Sequence, residues 1–257
     1  MIFKILGCGT STGVPLPGCK CAVCLSKNPK NWRSRTSAVI KARSDFNVLI
    51  DTSTDLRYQS LTHGVEHVNA VLYTHAHADH ILGLDDLRSF NFTQRQIIPC
   101  YGTRKTLSEI KRCFYYIFEP DQEYEGGMLP QVSLNPIEHY RPFNLEAISV
   151  QPFLLMHGRT EVTGFRIGGL AYATDCNSIP NRSWELLKNL DCLVLDALRY
   201  EPHNTHFTID QAIAIAEELK PARTYLVHMS HTVDYDEASR KLPEGIELAY
   251  DGLEIPF

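Results

Sequence analysis

The sequence lacks a long apolar run and any excess of basic charge. No stretch of its 257 residues approaches the roughly 18 consecutive apolar residues that span a bilayer. Lysine and arginine total 25 against 30 aspartate and glutamate residues, which gives a formal net charge of −5. Proteins that bind long nucleic acids usually present a basic face. We therefore expect neither a membrane nor a long nucleic acid as a partner.

The sequence also shows no pattern typical of a secretory signal peptide or of a boundary between domains. The opening "MIFKILGCGTSTG" has only a few apolar residues before a glycine-rich turn, which is typical of a first strand and not of a signal peptide. No internal repeat, low-complexity segment or linker divides the chain. We expect a single domain over residues 1–257 in the cytoplasm. In that compartment the eight cysteines would be reduced or metal-bound.

Strand-like and helix-like segments alternate along both halves of the chain. Residues 37–43 and 47–53 have the apolar, β-branched character of strands. Residues 103–118 and 209–220 have helical spacing, and Thr208 opens the second of these with a capping-box pattern. This alternation predicts an α/β protein in which two sheets pack together with helices outside.

The stretch "LYTHAHADHILGL" (residues 72–84) gathers titratable groups directly after an apolar run. Imidazoles and carboxylates are ligands that zinc and manganese accept. Within this short turn, His75 and His77 can approach one metal while Asp79 and His80 turn toward a second. Two metals need more than four ligands, so polar residues at other strand ends become candidates. These are His157, Asp175 and His228.

The motif "GCKCAVC" places three cysteines in a loop at about residues 17–35. Cys19, Cys21 and Cys24 are spaced as three of the four ligands of a closed tetrahedral zinc site. The fourth ligand is suggested by "HMSH". If His228 faces the catalytic metals, His231 is free to turn toward the cysteines. Reduced cysteines without a metal are the alternative.

Together these motifs resemble the metallo-β-lactamase superfamily. "THAHADH" matches its HxHxDH signature, and the resemblance extends from "GCGTSTG" near the start to "YDGLE" near the end. It implies an αββα sandwich, with mixed sheets face to face and a binuclear site of two divalent metals, Mn²⁺ or Zn²⁺, at its edge. By this resemblance His75, His77 and His157 would bind one metal, Asp79, His80 and His228 would bind the other, and Asp175 would bridge them.

The cysteine motif beside this ligand set resembles the PhnP group of phosphodiesterases, which act on phosphoribosyl 1,2-cyclic phosphate and carry a structural Cys3His zinc. The resemblance implies that a metal-bound hydroxide hydrolyses a small phosphodiester, such as a cyclic nucleotide or ribose phosphate. Asp79 would be a metal ligand and a proton acceptor. The group places a catalytic histidine within "EPHNTHFT". We choose His206 as general acid or phosphate contact, although the sequence separates it poorly from His203.

Four further residues have weaker assignments. Arg88 and Arg199 are candidate phosphate contacts, but each is more often a solvated or salt-bridged arginine. Asp51 and Asp196 stand at predicted strand ends, where they could support the metal-binding histidines from behind.

Two alternative functions share parts of this pattern. A tRNA 3′-processing nuclease has the same ligand set but usually carries a flexible arm, and no Gly- and Lys-rich insertion is present here. A non-catalytic accessory protein resembling PqqB shares the cysteine motif, but that group departs from the full HxHxDH set. The complete ligand set favours an enzyme with a small phosphodiester substrate. Related folds are often dimeric, so a homodimer is compatible with the resemblance.

Overall fold

The computed structural model describes residues 1–43, 45–119, 126–146 and 148–257. Within these ranges the strands are β1 (Ile2–Gly7), β2 (Ser37–Arg43), β3 (Phe46–Ile50), β4 (Ala70–Leu72), β5 (Ile98–Thr103), β6 (Val132–Ile137), β7 (Phe143–Leu145), β8 (Ile148–His157), β9 (Thr160–Ile167), β10 (Leu170–Ala173), β11 (Cys192–Asp196), β12 (Arg223–Val227), β13 (Ile246–Leu248) and β14 (Glu254–Pro256). The α-helices are α1 (Leu56–His63), α2 (Ala78–Ile81), α3 (Leu87–Gln94), α4 (Arg104–Cys113), α5 (Tyr115–Phe118), α6 (Asn181–Leu186), α7 (Ile209–Leu219) and α8 (Tyr235–Ser239). Short 3-10 helices lie at Pro29–Asn31 and Leu82–Asp86.

The strands form two seven-stranded sheets with a similar internal plan. Their orders are β14-β1-β2-β3-β4-β5-β6 and β13-β12-β11-β10-β9-β8-β7. In the first sheet β1, β2 and β3 are antiparallel neighbours, and β3 to β6 run parallel. In the second, β7 to β10 alternate in direction and β10 to β13 run parallel. The prediction of two mixed sheets is confirmed.

The side-chain period of a strand divides each sheet between two apolar layers. In β3, Val48 and Ile50 point into the core between the sheets, whereas Leu49 packs in a second core with residues of α1, α3 and α4. The rings of Phe3 and Tyr172, from opposite sheets, have centroids 5.5 Å apart. The first sheet is therefore buried on both faces, and the sheets form the middle of a sandwich.

Helix α7 bears out the predicted helix over 209–220. The side chain of its N-cap, Thr208, accepts from Gln211 N, and Thr208 N donates to the Gln211 side chain, which completes the capping box. Among the described residues, this longest α-helix has only eleven residues, and none is long and apolar enough to cross a membrane.

The helix predicted over 103–118 is broken. It consists of α4 and α5, separated at Phe114, which has φ −109° and ψ 42° and buries its ring in the core beneath the first sheet. Strands β5 and β6 were not predicted. Each contains a proline, Pro99 or Pro136, and a proline lowers the strand signal because it lacks a ladder donor.

The arrangement of strands brings several polar residues to one edge of the sandwich. Asp51 and Asp175 follow the parallel strands β3 and β10, and His228 follows β12. His157 ends β8, which runs in the same direction as β10 because both are antiparallel to β9. Side chains at the carboxyl ends of these strands therefore converge at this edge.

The first prediction concerns Gly83, in the turn directly after the histidine motif. A Cβ added there would lie 2.0 Å from Ser53 O and 2.9 Å from Leu56 Cβ, because the backbone after β3 passes close to this turn. We expect Gly83→Ala to lower the free energy of unfolding by about 1–3 kcal/mol, as overpacking does. Urea denaturation would measure it. Gly127→Ala is the matched control, since a Cβ there meets none of the described residues within 4 Å. Equal losses in both variants would contradict the close approach.

Candidate metal centre

The HxHxDH motif forms a turn from β4 into the short helix α2. His75 and His77 precede the helix, and His77 is its N-cap in extended conformation, with φ −68° and ψ 153°. Asp79 and His80 lie in the first turn of α2, and His80 O accepts from Thr52 N at 2.8 Å. The change from extended to helical backbone turns successive motif side chains in different directions.

The structure brings the seven predicted ligands together in two neighbouring groups. Ligand atoms of the first group, and likewise of the second, lie within 4.8 Å of one another. Asp175 also has a carboxylate oxygen within 4.8 Å of ligand atoms of His157 and His206, so it lies between the two groups. The first group is His75, His77 and His157, and the second is Asp79, His80, Asp175 and His228.

Three residues at this edge have left-handed backbone conformations that non-glycine residues seldom adopt. The φ angles are 60° for Asp51, 53° for Asp175 and 64° for His228. Each such residue costs of order 1–3 kcal/mol and persists only where its surroundings determine it. Each one follows a strand, so the turn swings its side chain into the site at the end of the sheet.

Asp51 holds Thr74 and His80, which belong to the part of the site that follows the strands of the first sheet. Its Oδ1 accepts from Thr74 N at 2.8 Å, and its Oδ2 accepts from Thr74 Oγ1 at 2.8 Å and pairs with His80 Nδ1 at 2.7 Å. With Nδ1 held by the carboxylate, His80 presents Nε2 to the site. A carboxylate behind a histidine is a common arrangement in metal sites.

Asp196 has the corresponding place in the second sheet. Its Oδ1 accepts from Asp175 N at 3.0 Å and pairs with His206 Nδ1 at 3.0 Å, while Oδ2 accepts from Phe207 N at 3.0 Å. One buried carboxylate thus holds a predicted ligand and the predicted catalytic histidine. His157 has a different support, since its Nδ1 is 2.8 Å from Thr205 O. The sequence reasoning missed that support because a backbone carbonyl carries no residue signature.

The carboxylates and imidazoles shift one another's pKa values. Burial lowers the pKa of His75 well below its ordinary value, which keeps its ring neutral. Burial also opposes the charged form of His228, but Asp175, Asp79 and Asp196 together outweigh it and raise the pKa of His228 to about 10. The carboxylates of Asp175, Asp79 and Asp51 likewise raise the pKa of His80 well above its ordinary value, although burial acts in the opposite direction. Without a metal, protons on these two histidines balance the buried carboxylates.

These residues fit divalent metal ions. Within the described ranges, the buried Nε2 of His75 has no hydrogen-bond partner, which is costly unless a ligand satisfies it. The Nε2 atoms of His80 and His228 lie 3.1–3.4 Å from carboxylate oxygens of Asp79 and Asp175, so donors of both kinds converge on one place. Nitrogen and oxygen donors of this kind suit zinc or manganese. A metal ion would replace the protons on His80 and His228 and neutralise the carboxylates.

The structure separates the two histidines of "EPHNTHFT". His206 is 7% exposed, and its ring stacks on that of His228 with centroids 4.5 Å apart. His203 is exposed and forms hydrogen bonds with Thr205 of its own loop. His206 is therefore the one that lies against both ligand groups.

The two candidate phosphate-binding arginines have partners elsewhere. Arg88 forms an exposed ion pair with Asp85 at 3.2 Å. Arg199 donates to Glu201 O and Pro202 O, so it shapes the loop that leads to His206. Neither guanidinium is held in the described structure by a contact to the metal-ligand groups.

The three cysteines of the loop meet His231. Its Nδ1 is 3.5 Å from both Cys19 Sγ and Cys21 Sγ, and the ligand atoms of the four residues, Cys24 included, lie within 4.8 Å of one another. Hydrogen bonds from Cys24 N and from His231 lower the pKa of Cys21 to about 6, so its thiolate form is favoured at neutral pH. Three sulfurs and one imidazole nitrogen match a tetrahedral zinc site.

Comparison with known proteins agrees with this fold. Residues 46–229 match the family model of the Beta-lactamase superfamily domain, so the chain belongs to that superfamily. A solved structure of a diphosphatase from the PhnP family is 43% identical, has a TM-score of 0.92, and covers 100% of this chain and 97% of its own. The chain is therefore a PhnP-like metallo-β-lactamase, and the predicted fold and the prediction of a metal-dependent hydrolase are confirmed.

Two curated relatives differ in how much they share. An octanoyltransferase of Porphyromonas gingivalis is 37% identical over 252 residues, which are 97% of this chain and 50% of the relative. The chain thus spans about half the length of that protein. Coenzyme PQQ synthesis protein B of Methylobacterium radiotolerans is 28% identical over 225 residues, 76% of this chain and 72% of the relative.

The second prediction concerns Asp51. Asp51→Asn keeps one acceptor oxygen but would present an amide N–H to His80 Nδ1, which moves the histidine proton to the nitrogen that faces the site. We expect divalent-metal affinity to fall about 10- to 100-fold, as for other partners of metal ligands. Titration of chelator-treated protein with Zn²⁺ or Mn²⁺ would measure the loss. Asp45→Asn, on an exposed side chain, is the control. Unchanged affinity in Asp51→Asn would contradict the assignment.

Proposed function

We propose that this chain is a metal-dependent phosphodiesterase that hydrolyses a small phosphodiester, such as a cyclic nucleotide or a ribose cyclic phosphate. The observation that carries the proposal is the position of His206 beside two complete ligand groups. A ring nitrogen of His206 lies within 4.8 Å of ligand atoms of His157 and Asp175, and Asp196 holds its Nδ1 from behind. The site thus combines a place for two cations with a proton donor.

The seven ligands have separate tasks in this proposal. His75, His77 and His157 hold one divalent metal, Asp79, His80 and His228 hold the second, and Asp175 is shared. When bound, two such metals provide a nucleophile at neutral pH and offset negative charge on a phosphoryl group. Six of the seven ligands are buried and His77 is exposed, and burial strengthens the electrostatic contacts among those six.

His206 is proposed to protonate the leaving alkoxide. The Nδ1–H of the ring donates to Asp196 Oδ1 at 3.0 Å, which fixes the orientation of the ring. The remaining nitrogen faces the ligand groups, where a substrate oxygen would leave.

A diphosphate is the second candidate substrate. The neighbouring structure at 43% identity is that of a diphosphatase of the PhnP family. A diphosphate and a phosphodiester both contain a phosphorus atom between a bridging oxygen and a site of attack, so the same groups could serve either. A PqqB-like accessory role is less well supported, since every predicted metal ligand is present and assembled.

We also propose that Cys19, Cys21, Cys24 and His231 bind one structural Zn²⁺. The proximity of the four ligand atoms and the favoured thiolate of Cys21 support it. The small substrate, the cytoplasmic location and the homodimer remain predictions.

The third prediction tests the reaction itself. The purified chain, loaded with Mn²⁺ or Zn²⁺, should hydrolyse bis(p-nitrophenyl) phosphate and nucleoside or ribose cyclic phosphates, and chelation should stop it. Asp79→Ala should abolish turnover while the chain stays folded, because the residue is a proposed metal ligand. Turnover of Asp79→Ala at the unsubstituted rate would refute the binuclear assignment. Hydrolysis confined to diphosphates would select the second substrate class, and salt-sensitive cleavage of precursor tRNA alone would select the nuclease.

The fourth prediction concerns His206 as general acid. His206→Ala should lower turnover of ribose cyclic phosphates by about 10²- to 10⁴-fold. The loss should be smaller for p-nitrophenyl esters, whose leaving group needs little protonation. Exposed His203 supplies the control, and His203→Ala should change neither rate substantially. Equal losses of His206→Ala on both substrate types would indicate phosphate binding instead of acid catalysis.

A further inference from the structure

One irregular segment of the chain serves both proposed metal centres. It runs from the end of β12 to the start of α8 and includes His228 of the catalytic groups and His231 of the cysteine group. Only two residues separate these histidines in sequence. His228 has the left-handed φ of 64°, so the segment must be held in place by its neighbours.

The segment has no regular ladder to hold it. Met229 N donates to Cys8 O at 2.9 Å, and Met229 O accepts from Thr10 N at 3.1 Å. Ser230 N donates to Leu198 O at 2.9 Å. These bonds fix the backbone directly after His228, but they leave the residues around His231 to other partners.

Arg33 supplies those partners. Its Nη1 donates to Ser230 O at 3.0 Å, and its Nη2 donates to Val233 O at 2.7 Å, so the two carbonyls on either side of His231 are held by one guanidinium. The Arg33 backbone pairs in both directions with Val14, at 2.7 and 2.8 Å, just before the cysteine loop. The residue therefore connects the cysteine loop to the segment that carries both histidines.

Burying the Arg33 guanidinium costs free energy, so its contacts are not explained by stability alone. Arg33 is 1% exposed, and its acceptors are two carbonyls and the side chain of Asn31, all neutral. Its Nε has no hydrogen-bond partner within the described residues. Burial opposes the charge of Arg33, and Asp251 and Asp234 offset that effect only in part. An apolar residue of similar volume is often as stable as a buried charge. The planar Arg33 guanidinium donates to two carbonyls at once, which an apolar residue cannot do.

We infer that Arg33 is a positioning residue that couples the cysteine centre to the catalytic centre. By holding Ser230 and Val233 it fixes His231 toward the cysteines and His228 toward Asp175 in the same rigid segment. Occupancy of the cysteine centre then raises the metal affinity of the group that contains His228, and the reverse holds by thermodynamic linkage. The inference rests on the metal assignments of the proposed function.

A double-mutant cycle on the full chain tests the coupling. Zn²⁺ and Mn²⁺ titrations against a chromophoric chelator would give the affinity of the catalytic centre and the number of zinc ions held. Cys21→Ser should lose the cysteine-bound zinc and weaken the catalytic centre about ten-fold, within the usual range of coupling between sites. Arg33→Lys, which replaces the planar guanidinium by a single donor nitrogen, should weaken the catalytic centre similarly. In the Arg33→Lys background, Cys21→Ser should then change that affinity less than about three-fold, since the coupling is already lost.

Arg166→Lys is the matched control. Arg166 also donates to backbone carbonyls through its guanidinium, to Leu186 O at 2.7 Å and Lys188 O at 3.1 Å beside α6 and to Gly168 O at 3.1 Å. Its replacement should lower thermal stability without changing metal affinity. Should Arg33→Lys not fold, Arg33→Gln, whose amide reaches one carbonyl without a charge, takes its place.

Three outcomes would overturn the inference. One is a catalytic-centre affinity in Arg33→Lys equal to that of the unsubstituted chain. Another is additive losses in the double variant. The third is an equal loss of affinity in Arg166→Lys, which would reduce the effect to general destabilisation. A chain that binds no metal at the catalytic centre before any substitution would overturn the metal assignment and the coupling with it.

Discussion

The structure depends on the burial of several ionisable side chains at one edge of a sandwich. His75, Asp79, His80, Asp175 and His228 are all at most 8% exposed, and water can solvate few of their charges. Such a cluster is tolerable only if opposite charges balance within it. The shifted pKa values of His80 and His228 describe that balance when protons provide the positive charge. Divalent cations held by these residues would also provide it, and they would then stabilise this edge of the sandwich.

The two sheets position their site residues with the same two structural features. In each, a left-handed aspartate follows the strand where the parallel part begins, Asp51 in the first sheet and Asp175 in the second. Each sheet also uses one fully buried carboxylate, Asp51 or Asp196, to hold a histidine ring through Nδ1. The resemblance lies in strand direction and backbone conformation, which is why no internal repeat is visible in the residues themselves.

The parts of the site that are contiguous in sequence were predictable. "HAHADH" and the three cysteines predict metal binding because the candidate ligands lie only a few residues apart. His157, Asp175 and His228 could be added because each follows or ends a recognisable strand. The choice between His203 and His206 depends on the course of an irregular loop, which no periodicity encodes. Arg33 could not have been found, because its importance comes from two backbone carbonyls some 200 residues away. In the fold, β5 and β6 were missed because long-range parallel pairing overrides the local effect of a proline.

The pairing of the first and last strands determines how this fold can be combined with other modules. β1 lies beside β14, and the Met1 amino group is 3.2 Å from Phe257 O. The six residues of β1 carry the chain about 20 Å, at 3.3 Å per residue, before Cys8 reaches the segment beside His228. A polypeptide joined to either end would therefore leave from the same point, at the side opposite the metal ligands. The joined polypeptide would begin about 20 Å from the segment that carries His228.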